Sequence, residues 1–370
     1  MKNKILLSKD VTNSILLSVY MALIFLYYLM SPFRIIAFIF FICYFLLKNK
    51  CAKSSVTFVL LFFILSLIIQ IINNSLHHFL LFLLIGPYFA SWVYKSKFKT
   101  SIIRRIFLFE QLLLFILYLK GGTFAGVLSG LSENYISILM ISNVVVIACI
   151  EIRQNEQISI IPSMFGFILS LLTLGRSGIV CSLGLLCLFV YVRFMTLPPA
   201  IRMKIIIFIL IITIYMGAKY IDLILEFFNN YELFSKFQER GLKSPSRGIL
   251  IDEYFMHINF NTFFLGYKFD NNPWFIHYGL NPHNSYIRLH YEIGFAAILL
   301  FLYIIYKIYK LYKNKHLILV AMLLIVMVRA YTDVYLFFGF YDFLIFYIFM
   351  IGNNYRIEHS IERIHTMNVK

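Results

Sequence analysis

Long apolar runs, separated by polar connections, fill most of the 370-residue chain. A helix that crosses a bilayer needs about 17–25 mostly apolar residues. About twelve such runs occur, with centres near residues 22, 40, 64, 86, 112, 143, 166, 186, 211, 297, 324 and 343. The pattern predicts an all-α polytopic membrane protein with about 12 transmembrane helices, which form a single membrane domain over residues 1–370.

The basic residues predict how these helices are oriented. Lys and Arg cluster in alternate connections, for example at residues 48–53, 95–105, 193–204 and 307–315. Because cytoplasmic connections carry an excess of Lys and Arg, the clusters predict a multi-pass protein with both termini in the cytoplasm. An odd number of spans would place the last cluster on the outer side, so the pattern favours an even number.

The composition excludes a soluble protein. Hydrophobic residues make up 61% of the chain and charged residues 14%, whereas soluble domains carry about 25% charged residues. The net charge of +16 does not indicate a nucleic-acid partner, because the basic residues are spread among the connections. The five cysteines have no metal-ligand spacing, so we expect neither a metal site nor a disulfide framework.

One polar segment is much longer than the other connections. Residues 222–285 follow the ninth span, lie on the outer side in this topology and are too polar to cross a bilayer. Apolar residues recur at helical spacing over residues 222–240, which favours a helix in the membrane interface. A second helix is expected to begin after Ser244-Pro245 and to run to about Phe264. Turns are expected at residues 271–273 and 281–282, so the pattern predicts a long, partly helical outer loop.

Two arginines on the outer side are candidates for binding an anion. Arg176 lies in Leu-Gly-Arg-Ser-Gly, where flanking glycines let the backbone turn tightly and let a ligand approach. Arg247 lies in the first turn of the expected loop helix, where free backbone N–H groups favour phosphate. The alternatives are an interfacial side chain that reaches water for Arg176, and a solvated loop residue for Arg247.

His283 is the candidate base. It lies in Asn-Pro-His-Asn-Ser-Tyr at the outer mouth of the tenth span, and a neutral imidazole can accept a proton at working pH. The alternative is a loop histidine with a backbone partner, and His257, His277 and His290 are weaker candidates. Two arginines and one histidine on the same membrane face suit displacement of a pyrophosphate by an alcohol, with arginine charges in place of a metal ion.

These motifs resemble those of the O-antigen ligase/Wzy polymerase superfamily. The resemblance is carried by Arg-Ser-Gly after a late helix, Ser-Arg in the long outer loop, and Pro-His-Asn-Ser-Tyr leading into Tyr-Glu-Ile-Gly-Phe; it covers mainly residues 165–300. It implies a metal-independent, inverting glycosyltransferase without a cofactor. It also implies undecaprenyl-pyrophosphate-linked sugars as substrates, at the periplasmic face of the bacterial inner membrane.

Carried over to this chain, the resemblance implies that Arg176 and Arg247 bind the donor pyrophosphate and that His283 activates the acceptor hydroxyl. The family often shows Gly-x-Gly after the loop helix, whereas this chain has Gly266-Tyr267-Lys268. Lys268 would then add a phosphate contact or have no role in binding.

Further outer cations and two residues of the histidine motif are secondary candidates. They are Arg240, Lys268, Asn284, Tyr286, Arg288 and Arg329. For Arg329, a structural ion pair with Asp333 is an equal alternative. Six loop aromatics would either stack on sugar rings or anchor the loop in the interface, and anchoring is favoured for most of them: Phe263, Phe264, Tyr267, Trp274, Phe275 and Tyr278.

The leading hypothesis is a polysaccharide polymerase, which transfers a growing glycan from its lipid pyrophosphate to a new lipid-linked repeat unit. Membrane lipid and a chain-length regulator protein are the further expected partners. A ligase that transfers the glycan to lipid A–core would use the same chemistry. A flippase or transporter would place polar groups near the bilayer midplane, whereas here, apart from Glu110, they gather at one outer face. A purely structural subunit is the remaining alternative.

Overall fold

A computed structural model describes residues 8–29, 53–73, 79–121, 124, 132–230, 245–337 and 340–354. All regular secondary structure in these residues is helical, and no strand occurs among them. The predicted all-α fold class is therefore confirmed. The predicted span near residue 40 and the candidate Arg240 lie outside the described residues.

The described residues form fifteen helices. In chain order they are α1 Lys9–Leu29, α2 Lys53–Ile72, α3 Phe79–Lys95, α4 Thr100–Gly121, α5 Asn134–Arg153, α6 Ile161–Leu172, α7 Arg176–Met195, α8 Pro199–Asn230, α9 Pro245–Met256, α10 Phe260–Leu265, α11 Pro273–His277, α12 Ser285–Ile293, α13 Phe295–Lys313, α14 Leu317–Thr332 and α15 Asp342–Asn354. Asn259, Asn272 and Asn284 each accept a hydrogen bond from a backbone N–H two or three residues later, at 2.9–3.0 Å, and so begin α10, α11 and α12.

Several of these helices are suited to a membrane. Four are long and apolar enough to cross it: Lys9–Leu26 within α1, then α5, α7 and α13. Shorter apolar helical segments are Phe62–Ile72, α6, α14 and Asp342–Asn353. The span expected near residue 166 is α6, which has only 12 residues. The span expected near residue 297 begins only at Phe295, because Gly294, with φ 50°, separates α12 from α13. The number of twelve spans remains a prediction.

Helix α5 lies at the centre of the bundle. Every residue from Ile136 to Glu151 is buried, as is typical of a helix that is apolar on all sides. It packs against α1, α4, α6, α7, α14 and α15. Helix α15 also packs along α3, and the rings of Tyr20, Phe89 and Phe343 meet between α1, α3 and α15.

Hydrogen bonds between helix ends define one end of the bundle, which we term the site end. Asn73, just after α2, donates to the carbonyl oxygen of Leu265 at 2.7 Å. Arg329, near the end of α14, donates to the carbonyl oxygen of Asn134 at the start of α5, at 3.1 Å. The end of α2 therefore meets the loop after α8, and the end of α14 meets the start of α5.

The opposite end, which we term the basic end, carries three exposed lysines in the connection between α3 and α4: Lys95, Lys97 and Lys99. Gln154, just after α5, holds this connection through two hydrogen bonds with the backbone of Phe98, at 2.8 and 3.0 Å. The basic end corresponds to the side that the positive-inside rule predicts to be cytoplasmic.

Residues 245–293 have a small apolar core of their own at the site end. Its buried members are Leu250, Tyr254, Phe269, Phe275, Ile287 and Tyr291. The expected helix begins at Pro245, but it ends at Met256 and not near Phe264, because Asn259 caps the new helix α10. The predicted start of a separate interfacial helix at residue 222 was also wrong, because α8 continues without a break to Asn230.

Candidate functional site

Arg176 is the first residue of α7, at the site end. A Cβ atom at Gly175 would lie 2.2 Å from Oδ1 of Asn134, and one at Gly178 would lie 2.3 Å from Oγ of Ser137. The two glycines therefore let α7 begin directly against the first turn of α5. This packing explains the glycines without a ligand, whereas the sequence pattern suggested that they admit one.

His283 lies in the turn before α12. Its backbone has a left-handed φ of 47°, a conformation in which His is found more often than most non-glycine residues. The backbone N–H of His283 donates to Oδ1 of Asn281 at 2.9 Å. The imidazole is 32% exposed, and its Nδ1 lies 3.8 Å from Oδ1 of Asp333. One ring nitrogen thus faces a carboxylate, and the ring is partly exposed.

Asp333 is a buried carboxylate between His283 and Arg329. Only 2% of its surface is exposed, and its Oδ2 lies 3.5 Å from Nη2 of Arg329. Burial would raise the pKa of Asp333, but the facing imidazole of His283 and the charges of Arg329 and Arg247 hold it below its usual value. Asp333 is therefore ionised at neutral pH.

Arg329 is completely buried, with 0% exposure. Its Nη2 donates to the carbonyl oxygen of Asn134 at 3.1 Å and lies 3.5 Å from Oγ of Ser137. Its Nη1 donates to Oγ1 of Thr332 at 2.9 Å. A buried guanidinium does not line a substrate path, which corrects one of the two expectations for this residue. The structural alternative, an ion pair with Asp333, is present.

Arg247, in the first turn of α9, belongs to the same group of charges. Burial lowers the pKa of Arg247; Asp333 raises it, and Arg329 and Arg176 lower it further. These electrostatic effects link Arg247 with Asp333, Arg329 and Arg176. Asp333 in turn faces His283 and Arg329. We term these five residues the charge cluster: Arg176, Arg247, His283, Arg329 and Asp333. Its three guanidinium groups and one carboxylate leave an excess of positive charge that suits an anionic ligand.

The residues that follow His283 have structural partners. The side chain of Asn284 caps α12. The hydroxyl of Ser285 donates to the carbonyl oxygen of Asp333 at 2.7 Å, and the hydroxyl of Tyr286 donates to a carbonyl oxygen of α14 at 2.8 Å. These bonds fasten the start of α12 to α14 and so fix His283 relative to Asp333. Asn284 and Tyr286, two secondary candidates, thus support the site without lining it.

Lys268 and Arg288 belong to a second polar group, within the loop. Nζ of Lys268 donates to the carbonyl oxygen of Tyr291 at 2.7 Å, and Nη2 of Arg288 lies 2.7 Å from Oε1 of Glu292. Burial raises the pKa of Glu292 to about 7, although Arg288 and Lys268 oppose this shift. Both cations therefore have partners: Lys268 fastens the segment after α10 to α12, whereas the Arg288–Glu292 pair lies within α12.

The loop aromatics divide into core and surface residues. Phe275 is buried in the loop core, and the ring of Tyr267 stacks on His257 with centroids 4.8 Å apart. Phe263 and Trp274 are exposed. Phe275 and Tyr267 pack within the loop, so interfacial anchoring applies only to the exposed residues.

Asp333 is the member of the site that sequence reasoning did not connect with His283. The two residues lie in different parts of the chain and meet only in the fold. The available signal was an acidic residue directly after an apolar helix, four positions beyond Arg329. Within the described residues, no group of three His, Cys, Asp or Glu side chains could hold a metal ion.

Comparison of the chain with models of known families, with curated proteins and with solved structures finds no match. The resemblance to the O-antigen ligase/Wzy polymerase superfamily therefore rests on the short motifs and on their order along the chain.

Proposed function

We propose that this protein is a polymerase of O-antigen or of a related surface polysaccharide. It transfers a growing glycan from undecaprenyl pyrophosphate to the terminal sugar hydroxyl of a lipid-linked repeat unit. The observation that carries the proposal is the charge cluster, in which arginines and a histidine backed by a buried carboxylate lie at one end of an apolar helical bundle.

Arg176 and Arg247 bind the pyrophosphate of the donor. A guanidinium fork holds two phosphate oxygens at once, and each arginine lies in the first turn of a helix whose backbone N–H groups also favour phosphate. The pyrophosphate balances the excess positive charge of the cluster. Because these charges stabilise the leaving group, the reaction needs no metal ion.

His283 accepts the proton of the acceptor hydroxyl. Its Nδ1–H points to Asp333, and Nε2 acts as the base. The hydroxyl oxygen forms a bond to the anomeric carbon while the bond from that carbon to the pyrophosphate oxygen breaks. The pyrophosphate leaves with the electron pair of the broken bond, and the proton stays on His283. A single displacement from the opposite face inverts the anomeric configuration, and the carboxylate of Asp333 stabilises the imidazolium.

Arg329 is a positioning residue in this mechanism. It pairs with Asp333, which faces His283. It also bonds to the first turn of α5, against which α7 and Arg176 begin. One buried guanidinium thus sets the base of the reaction relative to the pyrophosphate-binding arginine.

The reaction takes place at the periplasmic face of the bacterial inner membrane. In this arrangement the site end faces the periplasm, and both termini are cytoplasmic. The exposed lysines of the basic end support this orientation, because cytoplasmic connections are enriched in basic residues. The partners are undecaprenyl-pyrophosphate-linked oligosaccharides, membrane lipid and a chain-length regulator protein.

The experiment that tests the function is a glycan gel from a host that lacks the gene. The host is complemented with wild type, with His283→Ala or with His277→Ala. His277 is the matched control, because it is exposed and its ring lies against Tyr278 outside the charge cluster. We expect lipopolysaccharide capped with a single repeat unit in the deletion, and a full ladder with wild type and with His277→Ala only.

Other gel patterns contradict the polymerase. Loss of all capping, with accumulation of lipid-linked polymer, would identify a ligase. Loss of both polymer and capping, with repeat units held on the cytoplasmic side, would identify a flippase. A normal ladder in the deletion would remove the link to O-antigen.

A further inference from the structure

An exposed apolar surface lies where α9 meets α10, away from the charge cluster. We term it the elbow surface. Its five side chains are 36–79% exposed: Phe255, Met256, Phe260, Phe263 and Phe264. Between residues 255 and 267 the chain has no Asp, Glu, Lys or Arg. Contiguous exposed apolar surface of this kind is unusual in water and indicates a partner.

The backbone of α10 has hydrogen-bond partners at both ends. At its start, Oδ1 of Asn259 accepts from the N–H of Thr262 at 3.0 Å, and Oγ1 of Thr262 accepts from the N–H of Asn259 at 2.7 Å. At its end, the carbonyl oxygen of Leu265 accepts from Nδ2 of Asn73 at 2.7 Å. Backbone groups within hydrocarbon must be satisfied by the protein itself, and these bonds supply such partners at both ends of α10.

His290, on α12, links α10 to α9 without adding a charge. Its Nε2–H donates to the carbonyl oxygen of Phe263 at 3.0 Å, so its Nδ1 accepts from the hydroxyl of Tyr254 at 2.7 Å. Burial lowers the pKa of His290, although the bond to Phe263 opposes the shift. The imidazole is therefore neutral near the elbow surface, as an apolar surrounding requires.

The elbow surface continues onto the helices that are suited to span the membrane. The rings of Phe263 and Phe264 lie against Phe295, the first residue of α13, with centroids 5.8 and 5.3 Å apart. The carbonyl oxygen of Phe264 would lie only 2.1 Å from a Cβ at Gly294, so α10 touches the junction of α12 and α13 directly. On the other side, the last turn of α2 exposes Ile71. The elbow surface thus sits at the level where α2 ends and α13 begins.

We propose that the elbow surface inserts into the outer leaflet of the bilayer, with lipid acyl chains as its partner. The continuity with α13 and the hydrogen bonds at both ends of α10 favour lipid over a second protein. The five exposed side chains of the elbow surface are apolar, which favours lipid over a sugar chain, because a sugar chain needs hydrogen-bonding groups. The proposal requires that the bundle lies in a membrane with its site end outward, but it does not depend on the transfer reaction.

The test places an indole on the elbow surface and measures its distance from lipid bromine atoms. The full chain carries Trp92→Phe and Trp274→Phe, which remove the two native tryptophans, together with Phe260→Trp. Asp252→Trp in the same background is the control, because Asp252 is exposed on α9 one turn before the elbow surface. Each protein is reconstituted in vesicles of phosphatidylcholine brominated on its acyl chains.

The Phe260→Trp protein should lose on the order of half of its emission in brominated vesicles, as expected for a side chain buried about 5–10 Å below the headgroups. Iodide in the water should quench it less than the Asp252→Trp protein. Equal quenching of both proteins by iodide, with no effect of bromine, would overturn the proposal. Protection from both quenchers would also overturn it, because a protein would then cover the surface. Phe255→Trp provides a second position in case the first variant folds poorly.

Discussion

Asp333→Asn isolates the contribution of the carboxylate behind His283. Oδ1 of Asp333 lies 3.8 Å from Nδ1 of His283, and asparagine has nearly the same shape without the charge. Its amide nitrogen can donate where the carboxylate only accepts. The substitution therefore removes the charge that stabilises the imidazolium, and it permits the wrong tautomer of His283.

The distance gives the size of the expected effect. Two unit charges 3.8 Å apart attract each other by roughly 4 kcal/mol at an effective dielectric constant of about 20. Since the imidazole is partly exposed, solvent screening reduces this to about 2–3 kcal/mol. The value of kcat should therefore fall about 30- to 150-fold. The KM for the donor should change little, because the imidazolium charge arises only during the reaction.

The assay follows polymer formation by purified protein in vesicles, at equal amounts of folded protein. Folding needs this check because Arg329 loses the carboxylate that faces it, and an unpaired buried charge is destabilising. Asp252→Asn is the matched control, since Asp252 is an exposed carboxylate on α9. Asp333→Glu keeps the charge and should lose less activity than Asp333→Asn. If Asp333→Asn folds and retains the wild-type kcat, the role assigned to Asp333 is refuted.

Three further predictions concern the arginines and the loop. Arg176→Lys should lower kcat/KM by about one to two orders of magnitude, because lysine cannot form the bidentate contact; Arg105→Lys at the basic end is the control, and equal activity of the two variants would remove Arg176 from the donor site. Turnover should persist in excess EDTA, because arginine charges stabilise the leaving group; loss of turnover that added Mg²⁺ restores would contradict this. The pKa of Glu292 is raised to about 7 by burial, so the folded protein holds this proton more tightly than the unfolded chain does, and stability falls as pH rises from about 4.5 to about 7. Glu292→Gln should flatten this decline in thermal unfolding experiments, and an unchanged pH dependence would argue against the raised pKa.

Long apolar runs predicted the helices well where the burial of a helix follows from its own sequence. Helices α5 and α7 lie where long apolar runs predicted spans. The break at Gly294 was missed, because the apolar pattern continues into Phe295 and the break arises from the contact with Phe264 in another part of the chain. The start of α10 was also missed, although Asn259 and Thr262 form a capping box that the sequence contains.

The candidate site likewise contains residues that short motifs could identify and contacts that only the tertiary fold creates. Arg176, Arg247 and His283 could be named because short motifs surround them, and electrostatic effects link Arg247 with Arg176 and Asp333 with His283. The pairing of His283 with Asp333 could not be deduced, since it depends on how α12 meets the end of α14. The complete burial of Arg329 is also a tertiary effect, and it turns an expected substrate contact into a support for Asp333.

The most direct test of the central claim is a transfer reaction with purified protein and one lipid-linked repeat unit. Wild type, His283→Ala and the control His277→Ala are reconstituted in vesicles, and products are identified by mass spectrometry. The account predicts that wild type and His277→Ala release undecaprenyl pyrophosphate and form longer lipid-linked glycans with inverted linkages. It also predicts a rate about 100-fold or more lower for His283→Ala. Polymer formation by His283→Ala at the wild-type rate, or no glycan elongation by folded wild-type protein, would contradict it.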